Sequence, residues 1–360
     1  MIIDKSWRTG LGIAFYDRDS EINELIRSIS YGKGTTLILG PRNVGKSELV
    51  RYVTAKYLPS DVSIVVIDFR KLVAGEVLGS ITFRVEDAVK DAVTALASIA
   101  GAPGIADLVL RFVGELARLA RDVTSKYVIL VLDEFHFISD SVHHALSVLE
   151  SLAKMATFYR EFERLKLVVS DSEGLFTHHK ALRRLLGYSV ITMYVEPLPY
   201  GVMRELYREY VGKHGTPLPF EVVFKLIGGC PGYLAEIDAY VKQYGVDKGL
   251  DLWINTCLSN LNASLASAGM SLGLKGEEVI KHAYNLVSGF KGEEFLSSPE
   301  TLELAGILAE GNIVYVKHGR EVKSQLPIYR LALEIALKTG TTDILTRVKE
   351  ELLNELRIRE

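Results

Sequence analysis

The 360-residue sequence contains only two cysteines, only two glutamines and no long apolar run. Cys230 and Cys257 stand far apart, with no further Cys or His beside them at ligand spacing, which argues against a disulfide framework or a zinc ribbon and suits a reducing compartment. Met1 to Gly10 mixes Asp4, Lys5 and Arg8 without the apolar stretch of a signal peptide. No run approaches the roughly 18 apolar residues of a membrane span, so a cytoplasmic chain with no membrane contact is expected. Glutamine occurs only as Gln243 and Gln325, and depletion of this thermolabile type points toward a hot habitat. An excess of one charge is missing too. The balance of 42 basic and 45 acidic residues leaves -3, so there is no global positive field for nucleic acid and any basic surface has to be local.

What is present is an ordinary globular composition, 48% hydrophobic and 24% charged, on a chain long enough for two or three units at roughly 100 to 200 residues each. Thr35 to Leu39 is a β-branched and aliphatic run that stops at Gly40-Pro41, and Glu48 to Tyr57 follows with helical spacing of Leu49, Val50 and Val53. Val62 to Phe69 and Tyr127 to Leu132 are continuous apolar runs meeting acidic residues, as in parallel strands covered on both faces, and Leu167 to Ser170 and Val190 to Val195 read alike. Helical stretches at Val85 to Ile99, Ile105 to Val123, His144 to Tyr159 and Thr177 to Leu186 alternate with them. The expected fold is therefore α/β, a P-loop NTPase doubly wound parallel sheet over residues 1–198. Amphipathic helices broken at Gly228-Gly229-Cys230-Pro231-Gly232 suggest a helical lid over 199–265. Helices at Glu277 to Val287 and Pro299 to Ala309, then Ile313 to Lys317, a turn at His318-Gly319 and a run after Arg320, suggest a winged-helix-like domain over 270–360, closed by a helix from Thr341 to Arg359.

Gly40-Pro41-Arg42-Asn43-Val44-Gly45-Lys46-Ser47 satisfies G-x-x-x-x-G-K-[ST] between a strand and a helix. Its glycines let backbone N–H groups wrap phosphates while the next helix offers its positive N-terminus, and the cradle extends to Glu48. Lys46 is expected on the β- and γ-phosphates, and the Ser47 hydroxyl on Mg²⁺. At the end of the apolar run beginning at Tyr127, Asp133 is the expected holder of the Mg²⁺ shell and Glu134 the base that polarises water for in-line attack; alone, such a pair would more often be a solvated loop start. Ser170-Asp171-Ser172 ends another strand, where either serine could sense the γ-phosphate or orient the water, although strand-end serines are commonly turn formers. His136 and the pairs His143-His144 and His178-His179 lack a third ligand at usable spacing, so no histidine metal site is expected.

These residues resemble an archaeal P-loop ATPase family of the AAA+/STAND group, from Phe15 into the C-terminal module. Phe15-Tyr16-Asp17-Arg18-Asp19-Ser20-Glu21 is similar to the family's aromatic-x-x-Arg-x-x-Glu box, which implies that Tyr16 and Arg18 lie against the nucleotide base. The phosphate loop and Leu130-Val131-Leu132-Asp133-Glu134 are the specific likenesses. Gly228-Gly229-Cys230-Pro231-Gly232 resembles the lid motif Gly-Gly-x-Pro, implying Pro231 near adenine. Family members often carry Gly-Arg before the fifth strand. Here Tyr188 follows Gly187, so a γ-phosphate-sensing arginine is not expected at that position, where Arg183 or Arg184 could substitute.

The resemblance implies ATP or ADP with Mg²⁺ as cofactors and a molecular switch that hydrolyses ATP while moving the winged-helix module. A nucleotide-gated DNA- or protein-binding scaffold with negligible turnover is the alternative, and a small-molecule kinase fits less well beside adjacent acids. DNA as a partner is open: Pro299 to Ala309 bears Glu300 and Glu303 and no cation, whereas Lys317, Arg320 and Lys323 cluster on the wing. A solvated hairpin explains those cations equally well. A protein partner or homo-oligomer is the other open reading. Leu326-Pro327-Ile328-Tyr329-Arg330 is read as packing.

Overall fold

The computed structural model describes residues 3–31, 34–73, 81–84, 105–122, 127–139, 142–171, 185, 187–215, 218–288, 298–317 and 321–356. The expected helices at Val85 to Ile99 and Thr177 to Leu186, the turn at His318-Gly319, and Ser172, His178, His179, Arg183, Arg184 and Arg320 lie outside the described residues, apart from Leu185.

The central sheet has six strands in the order β5-β4-β6-β7-β3-β8: β3 (Thr35–Leu39), β4 (Val62–Asp68), β5 (Ile81–Arg84), β6 (Tyr127–Asp133), β7 (Leu165–Asp171) and β8 (Val190–Tyr194). Five run parallel, and β5 is an antiparallel edge on β4. The continuous apolar runs are explained by burial on both faces. Val128, Leu130 and Leu132 of β6 pack with helices Ile105–Asp122 and Val142–Phe158, while Ile129 and Val131 face helices Asp19–Tyr31 and Lys46–Lys56. A period of two along one strand thus feeds two separate cores.

The second of these cores does not stop at the sheet. It continues without a break through helices Tyr200–His214, Phe220–Ile227 and Tyr233–Tyr244 into the C-terminal region as far as Leu356. Helix Val246–Leu272 spans the junction at which lid and winged-helix-like region were expected to divide, packing on helices before and after it. Helices Gly276–Val287 and Pro299–Glu310 and the hairpin of β9 (Val314–Lys317) with β10 (Glu321–Ser324) complete the winged-helix-like module. Ser298 caps the second of these helices by accepting from Thr301 N, and Pro299 stands in its first turn, where its missing N–H is harmless.

Helix Asp19–Tyr31, the short helix Phe69–Val73, the hairpin of β1 (Ile3–Asp4) with β2 (Phe15–Tyr16), and edge strand β5 escaped the pattern reading. The chain end needs a correction. Pro327 opens a helix to Thr339 that stops at Gly340 in the left-handed region (φ 62), so the expected Thr341 to Arg359 helix instead begins at Ile344 as a π-turn. Asp343 caps that turn by accepting from Thr346 N at 3.0 Å, and regular helix follows over Lys349–Leu356. Leu326-Pro327-Ile328-Tyr329-Arg330 does pack, with Ile328 and Tyr329 buried, as the start of that overlooked helix.

Candidate functional site

The site lies at the carboxyl edge of the sheet, where loops leave β3, β6 and β7, the place open α/β sheets reserve for ligands. Strand β7 separates β3 from β6, so about 10 Å of sheet must be bridged by the loops themselves. The phosphate loop leaves β3 through Gly40 (φ 152), where a Cβ would sit 2.3 Å from the Val195 carbonyl oxygen. A side chain there would drive the loop off the end of β8. Gly45 (φ 105) then turns the chain into helix Lys46–Lys56.

Lys46 is buried, and its Nζ donates to the carbonyls of Gly40 (3.0 Å) and Pro41 (2.8 Å). Burial lowers its pKa, against the pull of Glu134, Asp171 and Asp133. Asp133 is buried at the end of β6, where burial first and the neighbouring Glu134 second push its carboxyl up to about 6. The Ser47 and Ser170 hydroxyls beside it work in the opposite direction. Serine and acid from different loops therefore meet, as one hydroxyl and one carboxylate, the oxygen donor set a small hard dication takes when it keeps waters and phosphate oxygens as its other ligands.

Glu134 adopts φ 53, a left-handed conformation that an L-residue holds only under constraint. Its Oε1 lies 3.0 Å from Nη2 of Arg70 and its Oε2 3.8 Å from Nε2 of His136. His136 is in turn fixed by a 2.6 Å contact of Nδ1 with Oδ1 of Asp171. Asp171 is buried and its pKa is raised by that burial, with the histidine opposing. Among the described residues no group of three or more His, Cys, Asp or Glu side chains could hold a metal ion.

A cavity of about 280 Å³ adjoins this cluster, lined by Gly45, Lys46, Ser47, Arg70 and Glu134 on its polar side and by Leu11, Phe15, Leu198, Leu206 and Pro231 on its apolar one. Tyr16, Arg18, Asn43, Val44 and Glu48 also line it, but most of their polar groups are turned to protein partners. Arg18, buried with φ 110, donates to Glu21 (2.9 Å), the Glu196 carbonyl (2.5 Å) and the Val44 carbonyl (2.9 Å), so its guanidinium holds the loop. The Tyr16 hydroxyl donates to Glu209 at 2.7 Å, and Asn43 donates to Glu236 at 2.8 Å. Glu48 accepts from the Trp7 indole (2.8 Å) and the Gly10 amide (3.1 Å), tethering the N-terminal segment across the opening. Glu209 matches it from the lid side: burial opposes ionisation, yet Tyr16, the Ala14 amide and Arg8 together hold its pKa below the usual range.

Arg42 offers its backbone N–H to Gln325 of the winged-helix-like module at 3.1 Å. Gly232 N donates to the Asn43 carbonyl at 3.0 Å, which sets the lid turn directly on the phosphate loop. Tyr188, in the place of the arginine common in the family, donates to Glu150 at 3.3 Å and packs edge-on against Phe158. The sequence reading missed Arg70, the His136–Asp171 pair, and Gln325 and Glu196 as links between regions. Asp171, one residue beyond Ser170, was visible by the same strand-end argument that identified Asp133; the others are joined only across the fold.

Among solved structures, the chain is similar to a Walker-type ATPase of Pyrococcus abyssi, at 20% identity and TM-score 0.55, covering 89% of this chain and 96% of that one. It also resembles the ORC1 protein of Aeropyrum pernix in complex with DNA (17% identity, TM-score 0.43, 90% and 93% covered) and the ORC2 protein of the same organism (11%, 0.41, 93% and 93%). The first of these likenesses supports the P-loop α/β fold. No curated protein matches the sequence significantly. A family model described as an ATPase domain predominantly from Archaea matches residues 15–237, more than half of the chain.

Proposed function

The chain belongs to the family of ATPase domains found predominantly in Archaea, and from that membership we propose that it binds Mg-ATP at Gly40 to Ser47 and hydrolyses it as a molecular switch. The carrying observation is the meeting of Lys46 and Ser47, from the phosphate loop, with Asp133, from the end of β6, beside one cavity. Ser47 and Asp133 are the residues that would hold magnesium, which supplies charge neutralisation at the β- and γ-phosphate oxygens. Lys46 leaves the Gly40 and Pro41 carbonyls for the phosphates. Glu134 polarises the attacking water, and Ser170, whose hydroxyl is buried without a full hydrogen bond, orients it.

Three consecutive loop residues support the switch. Arg42 is tied to the winged-helix-like module through Gln325, and Asn43 to the lid through Gly232 and Glu236. Val44 is tied through Arg18 to Glu196, whose carboxylate pairs with Lys317 (2.5 Å) and Lys323 (3.8 Å) of the wing. A loop reshaped by phosphate would pull on all three regions together. The same pairs bear on the partner. With Lys317 and Lys323 held by Glu196, DNA binding requires the wing to undock, and Glu196→Gln should then strengthen it in a salt-dependent way. The alternative, a nucleotide-gated scaffold for DNA or protein with negligible turnover, draws support from the Arg70 contact that occupies Glu134.

Single-turnover ATP cleavage by the parent chain, Lys46→Ala and Glu134→Gln separates these readings. Glu134→Gln is expected to lose about 10²- to 10⁴-fold in rate while still binding ATP. Equal cleavage by all three proteins would sink the enzyme reading, and very slow parent turnover with tight binding would favour the scaffold.

A further inference from the structure

Among the described residues Arg70 is placed unlike any other cation around the cavity. It follows β4 by two residues, in the short helix Phe69–Val73, and β4 is the direct neighbour of β6, with Asp68 opposite Asp133. Lys46 approaches the cavity from β3, on the other side of β6 and β7. The two cations therefore flank the strand ends from opposite directions, and both line the same cavity as Ser47.

The contacts of Arg70 leave much of its fork unused. One nitrogen, Nη2, meets one oxygen of Glu134 at 3.0 Å, and the guanidinium lies 5.8 Å from the Phe137 ring centre. Its Nε is shielded from solvent and has no acceptor among the described residues. A guanidinium presents five N–H donors in a planar fork suited to bidentate oxyanions, and a shielded donor without an acceptor is unfavourable. A terminal phosphate carries more charge and more acceptor oxygens than a carboxylate, so it would answer both deficits. The side chain is 41% exposed, which leaves it room to turn.

We infer that Arg70 is the arginine that senses the terminal phosphate, exchanging Glu134 for the γ-phosphate oxygens when a triphosphate enters. The exchange has two consequences at once. It distinguishes ATP from ADP, which offers no γ-phosphate, and it frees the Glu134 carboxylate to face water only when there is a bond to cleave. The role left open where Tyr188 follows Gly187 is thereby filled in cis from β4. This inference rests on the proposal that ATP is the ligand of the phosphate loop.

The test measures equilibrium binding of ADP and of a non-hydrolysable ATP analogue, both with Mg²⁺, to the parent chain, Arg70→Ala, Arg70→Gln, Glu134→Gln and Arg70→Ala/Glu134→Gln. Analogue affinity is expected to fall at least about tenfold in both Arg70 variants, with ADP affinity changed less than about twofold. Glu134→Gln, by weakening the competing ion pair, is expected to tighten the analogue in the parent background and to have no such effect beside Arg70→Ala, a coupling that a purely structural arginine would not produce. Equal losses for ADP and analogue, no loss for either, or an effect of Glu134→Gln that persists without Arg70 would each overturn the assignment. A parent chain that binds neither nucleotide overturns the ATP reading itself, and the inference with it. Lys46→Ala is the control: it should weaken both nucleotides.

Discussion

The side-chain carbonyl of Gln325 accepts the backbone N–H of Arg42 at 3.1 Å, so a residue of the winged-helix-like module completes the hydrogen bonding of the phosphate loop from 283 positions away in sequence. Gln325 is buried, at 2% exposure, and it is one of only two glutamines in the chain. On the proposed switch reading, a fixed acceptor at this point would report whether the loop is wrapped around phosphate.

Gln325→Leu keeps much of the volume but leaves the Arg42 amide without that acceptor. The expected result is a loss of about 1 kcal/mol in stability, the usual worth of a hydrogen bond whose donor is partly buried. ATP should also protect the C-terminal module from protease less well than it does in the parent chain. Thermal unfolding and limited proteolysis with and without Mg-ATP check this. Lys338→Ala removes the exposed Lys338–Glu334 pair (2.7 Å) and should change neither readout.

Asp133 sets a pH dependence with a definite sign. Its carboxyl is raised from 3.8 to about 6, burial being the main cause, so between those values the folded protein binds the proton more tightly than the unfolded chain. Stability of the nucleotide-free protein therefore falls as pH rises through that window, by up to about 3 kcal/mol from this group. Asp133→Asn is expected to unfold at a higher temperature than the parent at pH 7.5, and the gap should close toward pH 4. A gap that is constant with pH, or that widens on acidification, would contradict the assignment.

Gly232 is helical in φ (-61), so alanine is conformationally acceptable there, yet a Cβ would stand 2.8 Å from the Asn43 Cβ and 3.0 Å from its carbonyl oxygen. Gly232→Ala should therefore push the lid turn off the phosphate loop and weaken ATP binding by about tenfold, with helix content unchanged. Gly212→Ala, within helix Tyr200–His214 and with open space around the added methyl, should leave binding alone and stabilise slightly. Calorimetry of nucleotide binding to both variants, with circular dichroism as the fold control, decides the matter.

The chain's local chemistry already determined the phosphate loop, the strand ending in Asp133 and Glu134, and the alternation of strands with helices. Each of these rests on neighbours in sequence: glycines that permit a backbone nest, apolar runs of strand length, an acid where the run ends. The order of strands, and with it the meeting of Ser47 with Asp133, follows a rule that such motifs carry with them. Other features depended on tertiary placement. The resemblance implied that Arg18 and Tyr16 lie against the nucleotide base; both line the cavity, and their polar groups serve Val44, Glu196 and Glu209. Glu48, read as part of the nucleotide cradle, anchors Trp7 and Gly10. Arg70 reaches Glu134 from a neighbouring strand, Asp171 fixes His136, and Gln325 returns to Arg42 across most of the chain. Hydrogen bonds and ion pairs act over a few ångströms of space whatever the separation along the chain, so composition and periodicity carry no trace of them until the sheet and the continuous core have brought the partners together.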